Sequence, residues 1–177
     1  MHEGIRKGEN KMHHVEKQSV KCFVATISDT RTTDTDISGQ LIKQLLEKEQ
    51  HEVVGHQIIK DDKVLIGQMI DKINERTDVE VILLTGGTGI SMRDVTIEVV
   101  ENKLTKTIPG FGELFRMLSY TEDIGSAAMM SRAVAGVLSN GQLIFSMPGS
   151  SGAVKLAMNK LILPEVSHMI YELRKQK

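Results

Sequence analysis

Val79-Glu80-Val81-Ile82-Leu83-Leu84-Thr85-Gly86-Gly87-Thr88-Gly89-Ile90-Ser91 is the stretch that decides the fold. Its first half is a short continuous apolar run, and its second half is a glycine-rich turn. Such a run, bounded by turn residues, reads as a strand buried on both faces, the position of a strand inside a parallel sheet. A glycine-rich turn at the carboxyl end of that strand lies where open α/β sheets bind ligands.

Working outward, Val20 to Ser28 reads as a buried strand and Thr30 to Asp36 as a polar loop. Ile37, Leu41, Leu45 and Leu46 then repeat at helical spacing, with Asp34, Thr35 or Asp36 available as N-cap. Val53-Val54 through Ile58-Ile59 is a second strand. Asp61-Asp62 opens a second helix with Leu65, Met69, Ile70 and Ile73 on one face. Strand, helix, strand, helix, strand is the pattern of a parallel sheet covered on both faces. Beyond the turn, a helix is expected from Thr96 to Lys103, a break at Pro109-Gly110, and a short helix from Glu113 to Ser119. Ala133 to Leu138 and Gln142 to Met147 flank Ser139-Asn140-Gly141, and Asn-Gly between two apolar runs is a hairpin signal. One strand should therefore run antiparallel. The chain closes in helical spacing, with Val166, Met169, Ile170 and Leu173 following Pro164, a natural first-turn proline. The expected fold class is α/β: three layers, a mostly parallel sheet with helices on both faces and one antiparallel strand.

The chain has 177 residues, the length of one ordinary domain of about 100–200 residues. Residues 1–19 read as a flexible N-terminal extension and residues 20–177 as the domain. The charged fraction of 25% is globular, and a formal net charge of −1 gives no basic excess to suggest nucleic acid. The single cysteine, Cys22, excludes an intramolecular disulfide and reads as a small buried hydrophobe. His2, His13 and His14 have no carboxylate or thiol at ligand spacing, so they read as part of a solvated tail. The amino terminus has no apolar signal stretch, and no segment reaches the roughly 18 apolar residues of a membrane span. A soluble cytoplasmic protein is expected.

Three glycines and three hydroxyl side chains fall within Thr85 to Ser91. Glycine removes the Cβ obstacle, so backbone N–H groups can converge on an anion. The helix N-terminus that follows adds a favourable field. A Walker A loop would need Lys and Ser/Thr after Gly89, where Ile90-Ser91 stand, and the dinucleotide fingerprint would need glycine at Met92. A nicotinamide-dependent oxidoreductase is disfavoured on that ground, and because no acidic residue ends a second strand at the usual offset. Asp94 has two readings. Ser91-x-x-Asp94 has capping-box spacing, and Thr96 is a second candidate cap. Alternatively, Asp94 is a carboxylate beside a phosphate site, which makes sense with a cation between them.

Thr85-Gly86-Gly87-Thr88-Gly89 followed by Arg93-Asp94-Val95-Thr96-Ile97-Glu98 resembles the signature of the MoaB/Mog molybdopterin-binding family. Further matching segments come in order: Ser28-Asp29 with Ser38-Gly39, Pro109-Gly110-Phe111-Gly112-Glu113, Ser131-Arg132-Ala133 with Ala135-Gly136, and Met147-Pro148-Gly149-Ser150. The stretches at 109–119 and 149–153 look more like the B-type branch, whereas Arg93-Asp94-Val95-Thr96 and Lys60-Asp61-Asp62 look like the catalytic pattern.

The resemblance implies loops gathered at one sheet edge that bind molybdopterin, a pterin dithiolene with a terminal phosphate. It implies transfer of AMP from ATP to that phosphate with Mg²⁺, release of pyrophosphate, and delivery to a molybdenum-inserting protein. By matching positions, Thr85, Gly86, Gly87, Thr88, Gly89, Ser131, Gly149 and Ser150 would contact molybdopterin. Asp94 and Asp61 would be the catalytic, Mg²⁺-holding acids, and Asp29 and Glu98 would line the same pocket. A homo-oligomer, trimer or hexamer, is implied. The alternative is a carrier or scaffold that binds molybdopterin without turnover, for which the pair Asp61 and Asp94 would be unnecessary.

Overall fold

The computed structural model describes residues 18–175. The histidines of the amino-terminal tract lie outside the described residues. In chain order the elements are β1 (Lys21–Ile27), α1 (Ile37–Lys48), β2 (Glu52–Ile59), α2 (Lys63–Asn74), β3 (Val81–Thr85), α3 (Thr96–Glu101), β4 (Lys106–Thr107) and α4 (Pro109–Glu122). A 3₁₀ turn (Gly125–Met130) follows, then β5 (Val134–Val137), β6 (Leu143–Met147), α5 (Ser151–Ala157), a π turn (Met158–Ile162) and α6 (Leu163–Arg174).

The strands form one sheet in the order β2-β1-β3-β6-β5-β4. The pairs β1–β2, β1–β3 and β3–β6 are parallel, and β5 runs antiparallel to both β6 and β4. The single reversed strand expected from Asn140-Gly141 is therefore β5. The two-residue β4 was not anticipated, since Lys106-Thr107 has no apolar alternation to mark it.

Alternation along the strands builds two cores. Cys22, Val24, Val81, Leu83, Phe145 and Met147 pack with Ile42 and Leu46 of α1, Phe111 and Phe115 of α4, and the α5–α6 segment. Phe23, Ala25, Ile27, Ile82, Leu84 and Ile144 point the other way, onto Ile66, Met69, Ile70 and Ile73 of α2 and Val99 and Val100 of α3. That is the three-layer architecture, with α2 and α3 on one face and the remaining helices on the other.

Several local expectations need correction. Pro109-Gly110 does not break the chain but starts α4, because the first helical turn needs no proline N–H. On α2 the deepest residue is Ile66, and Leu65 is 43% exposed. On α1 the deep positions are Ile42 and Leu46, with Ile37 at the exposed end. Pro164 lies at the start of α6, but the helix before it does not stop. Proline lacks an N–H and crowds the carbonyl four residues back, and the chain widens into the π turn over Met158–Ile162. The Leu163 N–H then reaches the Met158 carbonyl.

Among the α1 cap candidates, Asp36 takes the role. Its carboxylate accepts the Gly39 N–H at 2.9 Å, the Thr26 hydroxyl at 2.8 Å and a His56 contact at 2.8 Å. Cys22 is fully buried, and burial, followed by the Glu80 carboxylate, pushes its thiol up to about 12. Gln18 is held on α6: its carbonyl accepts the Ser167 hydroxyl at 2.8 Å and its side-chain oxygen accepts Arg174 at 2.9 Å.

Phe115 is fully buried and stacks on Phe111, which meets Phe145 edge-on with centroids 5.2 Å apart. Phe115→Ala is expected to cost about 3–5 kcal/mol, the scale for emptying a buried aromatic site. Urea denaturation of the two proteins measures it, and a loss under about 1 kcal/mol would mean that α4 collapses into the gap.

Candidate functional site

The carboxyl ends of β1, β3 and β6 lie side by side, with Thr85 in register with Thr26 on one flank and Met147 on the other. Their loops meet backbone to backbone. Gly86 has φ 101° and Gly87 φ 62°, left-handed values that favour glycine. A Cβ on Gly86 would collide with the Ile27 carbonyl, and one on Gly149 would sit 3.3 Å from the Gly86 Cα. The Gly86 N–H donates to the Met147 carbonyl at 3.1 Å, and the Thr85 hydroxyl donates to the Pro148 carbonyl at 3.1 Å. From the first turn of α1, the Ser38 hydroxyl donates to the Gly149 carbonyl. Ser150 caps α5 by accepting the Ala153 N–H at 3.2 Å.

Three carboxylates face this junction from three loops. Asp94 lies over the glycine turn, its Oδ2 accepting the Ser91 N–H at 3.0 Å. The Ser91 side chain first, then the Ser91 and Gly89 N–H groups and Arg132, hold its carboxyl below the usual range against a smaller opposing effect of burial. The Ser91–Asp94 spacing thus forms a local bond. Neither Asp94 nor Thr96 caps α3, whose N-cap is Val95 without a side-chain bond.

Asp61 stands on the other side of the turn. A Cβ on Gly87 would lie 3.0 Å from each of its carboxylate oxygens and would collide with the Thr96 hydroxyl. Burial raises the Asp61 carboxyl, the Val95 N–H opposes that, and Asp94 and Asp29 raise it further. Asp29 accepts the Asp61 N–H at 3.3 Å and is ion-paired to Arg93. Two buried oxygens beside Gly87, Asp61 Oδ1 and Thr96 Oγ1, have no hydrogen-bond partner.

Arg132 joins this cluster from the link between the 3₁₀ turn and β5. It donates to the Thr88 carbonyl and to the Asp94 carbonyl, each at 3.0 Å, and pairs with Glu98. The pairing lowers the Glu98 carboxyl. Ser131 closes the 3₁₀ turn, its N–H donating to Ala128 at 3.0 Å. The fold therefore brings Thr85–Gly89, Gly149, Asp29, Asp61 and Asp94 to one edge. Ser150 occupies a cap there, Glu98 meets Arg132, and Ser131 is its chain neighbour. Ser38 and Arg132 carry contacts, and Thr96 a buried hydroxyl beside Gly87, that spacing alone did not assign. Thr96 was legible only as a possible cap, and Ser38 and Arg132 only as members of matching segments. A cavity of about 410 Å³ lies elsewhere, lined by residues including Arg76, Glu80, Gln142 and Arg174, and holds none of these groups.

No three His, Cys, Asp or Glu groups form a ready metal cage among the described residues. Mg²⁺ is ordinarily bound by one or two carboxylates, with waters and substrate phosphates filling the other positions. The unpartnered Asp61 Oδ1, with Asp94 across the glycine turn, fits that kind of donor set.

An open α/β sheet with glycine-lined loops at adjacent strand ends belongs to the class of α/β domains whose ligand site lies at the carboxyl ends of the strands. Residues 23–168 match the probable molybdopterin binding domain. A molybdenum cofactor biosynthesis protein B of Bacillus cereus is 57% identical over 159 residues, covering 90% of this chain and 94% of that protein. A crystal structure of a molybdenum cofactor biosynthesis protein B superposes with TM-score 0.88 at 56% identity, covering 90% of this chain and 99% of that one. The tungsten cofactor synthesizing protein MoaB from Pyrococcus furiosus superposes at 0.78 with 36% identity, over 89% and 98% of the two chains. The chain belongs to the molybdenum cofactor biosynthesis protein B family. Among the described residues, no helix is long and apolar enough to cross a membrane.

The raised Asp61 carboxyl has a consequence for stability. The unfolded chain releases this proton at lower pH than the folded one, so folding is penalised as pH rises from the ordinary carboxylate value through the raised one. Asp61→Asn removes the penalty. Its melting temperature should exceed wild type at pH 7, with the gap narrowing as pH falls toward 4. A variant less stable than wild type at pH 7 would mean that the Val95 N–H contact outweighs burial and the neighbouring charges.

Proposed function

We propose that the chain binds molybdopterin at the loops after β3 and β6 and transfers AMP from ATP to its terminal phosphate. A phosphate oxygen of molybdopterin attacks the α-phosphorus of ATP. The bond from that phosphorus to the bridging oxygen breaks, and pyrophosphate leaves with the electron pair. A phosphate monoester is already largely ionised at neutral pH, so no side-chain base is needed. Positioning and charge neutralisation supply most of the help in such transfers.

The observation that carries this reading is the pair Asp61 and Asp94 flanking the glycine turn. An uncompensated carboxylate repels phosphate, so two of them beside an anion loop make sense with a cation. Mg²⁺ arriving with the nucleotide would be held by Asp94 and Asp61 and would neutralise charge on the triphosphate. The backbone N–H groups of the turn would receive phosphate oxygens, and Asp29, paired with Arg93, would border the same space. Cofactor assembly of this kind would feed adenylated molybdopterin to a metal-inserting protein.

Asp94→Asn keeps the side chain's size and its ability to accept the Ser91 N–H, so the fold should survive. AMP transfer should fall by about two orders of magnitude or more, the scale for removing a key electrostatic group. Molybdopterin binding, followed by fluorescence, should hold steady or tighten. Transfer equal to wild type would remove Asp94 from the mechanism. A wild-type protein that binds molybdopterin but releases no pyrophosphate from Mg-ATP would make it a carrier.

A further inference from the structure

We propose that Arg132 is a positioning residue for Asp94, acting through two peptide planes at the glycine turn. Its Nε donates to the Thr88 carbonyl and its Nη2 to the Asp94 carbonyl, each at 3.0 Å, while Nη1 is tied to Glu98. A trans peptide is planar, and its C=O and N–H point in opposite directions. The described residues contain no cis peptide bond.

Holding the Thr88 carbonyl toward Arg132 therefore turns the Gly89 N–H away from it. Holding the Asp94 carbonyl does the same to the Val95 N–H. Gly89 lies against Asp94: a Cβ on that glycine would sit 2.7 Å from Asp94 Oδ2, the same oxygen that accepts the Ser91 N–H at 3.0 Å. One guanidinium thus fixes the main chain on both sides of the Asp94 carboxylate, and it makes no hydrogen bond to that carboxylate to do so. A rigid planar fork can hold two carbonyls and a carboxylate at once, whereas a lysine ammonium is a point charge without that geometry.

Arg132 reaches the turn from outside the β1-α1-β2-α2-β3-α3 half of the chain, so the aim of Asp94 depends on the link between the 3₁₀ turn and β5. Glu98 completes the clamp from α3, and its role is to hold Arg132.

The inference rests on the adenylyl-transfer reading only for its kinetic consequence. The structural part is tested on the full chain without substrate, by amide hydrogen exchange of wild type, Arg132→Met and Arg132→Lys. In both variants the Gly89 and Val95 amides should exchange at least about tenfold faster, while Ile82 and Leu83 in β3 keep their wild-type rates. In AMP transfer, kcat should fall by about 10²-fold in both, the scale of a misplaced reacting group. The molybdopterin Kd should change by less than about threefold, well under the tenfold that 1.4 kcal/mol would bring.

Wild-type exchange at Gly89 and Val95 in either variant overturns the proposal, and in Arg132→Lys it would mean that charge alone suffices. Acceleration that extends to Ile82 and Leu83 also overturns it, because Arg132 would then support the fold at large. Selective acceleration in a protein whose wild type transfers no AMP supports the positioning role and refutes the adenylyl-transfer reading instead.

Discussion

The site depends on close approach of main chains where three parallel strands end. Gly86 lies against the Ile27 carbonyl with no room for a Cβ, and a Cβ on Gly149 would sit tightly against Gly86, 3.3 Å from its Cα. Strand spacing in a sheet is fixed by backbone hydrogen bonds. The loops that leave β1, β3 and β6 therefore start within a few ångströms of each other, and only glycine lets them stay that close. Each bond at the junction extends this: Gly86 to Met147, Thr85 to Pro148, Ser38 to Gly149. The result is an edge where three loops meet main chain to main chain.

Around that edge the fold concentrates negative charge, which works against its own stability. Asp61 is raised by burial and by two neighbouring carboxylates, and one of its oxygens has no partner. A buried oxygen without a partner costs stability. Asp94 is treated differently. It is held in its ionised form by the Ser91 side chain and by nearby N–H groups. Two acids that flank one glycine turn in space thus have opposite shifts, a pattern common at functional sites. Arg93 and Arg132 moderate the charge, the first by pairing with Asp29, the second by binding carbonyls and Glu98.

Much of the fold is legible in the residues because periodicity records burial. The buried runs at Val20 to Ser28, Val79 to Thr85 and Gln142 to Met147 all became strands, and Asn140-Gly141 gave the antiparallel pair. Where the reading failed, a local rule was outweighed. Lys106-Thr107 is a strand through pairing with β5 alone. Pro109-Gly110 has the composition of a turn, yet proline is compatible with a first helical turn, and α4 starting there buries Phe111 and Phe115 on one face. Leu65 lost its expected place to Ile66 because the facing strands and α3, not spacing alone, choose which stripe of α2 is covered. At the site the glycine turn and Asp94 were readable from one another, being adjacent in the chain. Thr96 and Arg132 were not, since a buried hydroxyl and a clamp on distant carbonyls leave no spacing signature.

By itself the sequence determined the class: alternating strands and helices, one reversed strand, and a glycine turn at a strand end that neither common nucleotide motif explains. These follow from local chemistry, from hydrophobic period, and from the need for glycine at positive φ. The resemblance grouped Asp61 and Asp29 with Asp94 by matching positions, but only the tertiary structure gave the physical reason. Asp61 follows β2 and Asp29 follows β1, and neither lies near Asp94 in the chain. The strand order β2-β1-β3-β6 carries them there. In a parallel sheet all carboxyl ends emerge on one edge, so loops far apart in sequence become neighbours. Arg132 enters the same way, from the strand-side link before β5. Contacts between separate loops are set by how the sheet is ordered, and that order is fixed by packing across the whole domain rather than by any one segment.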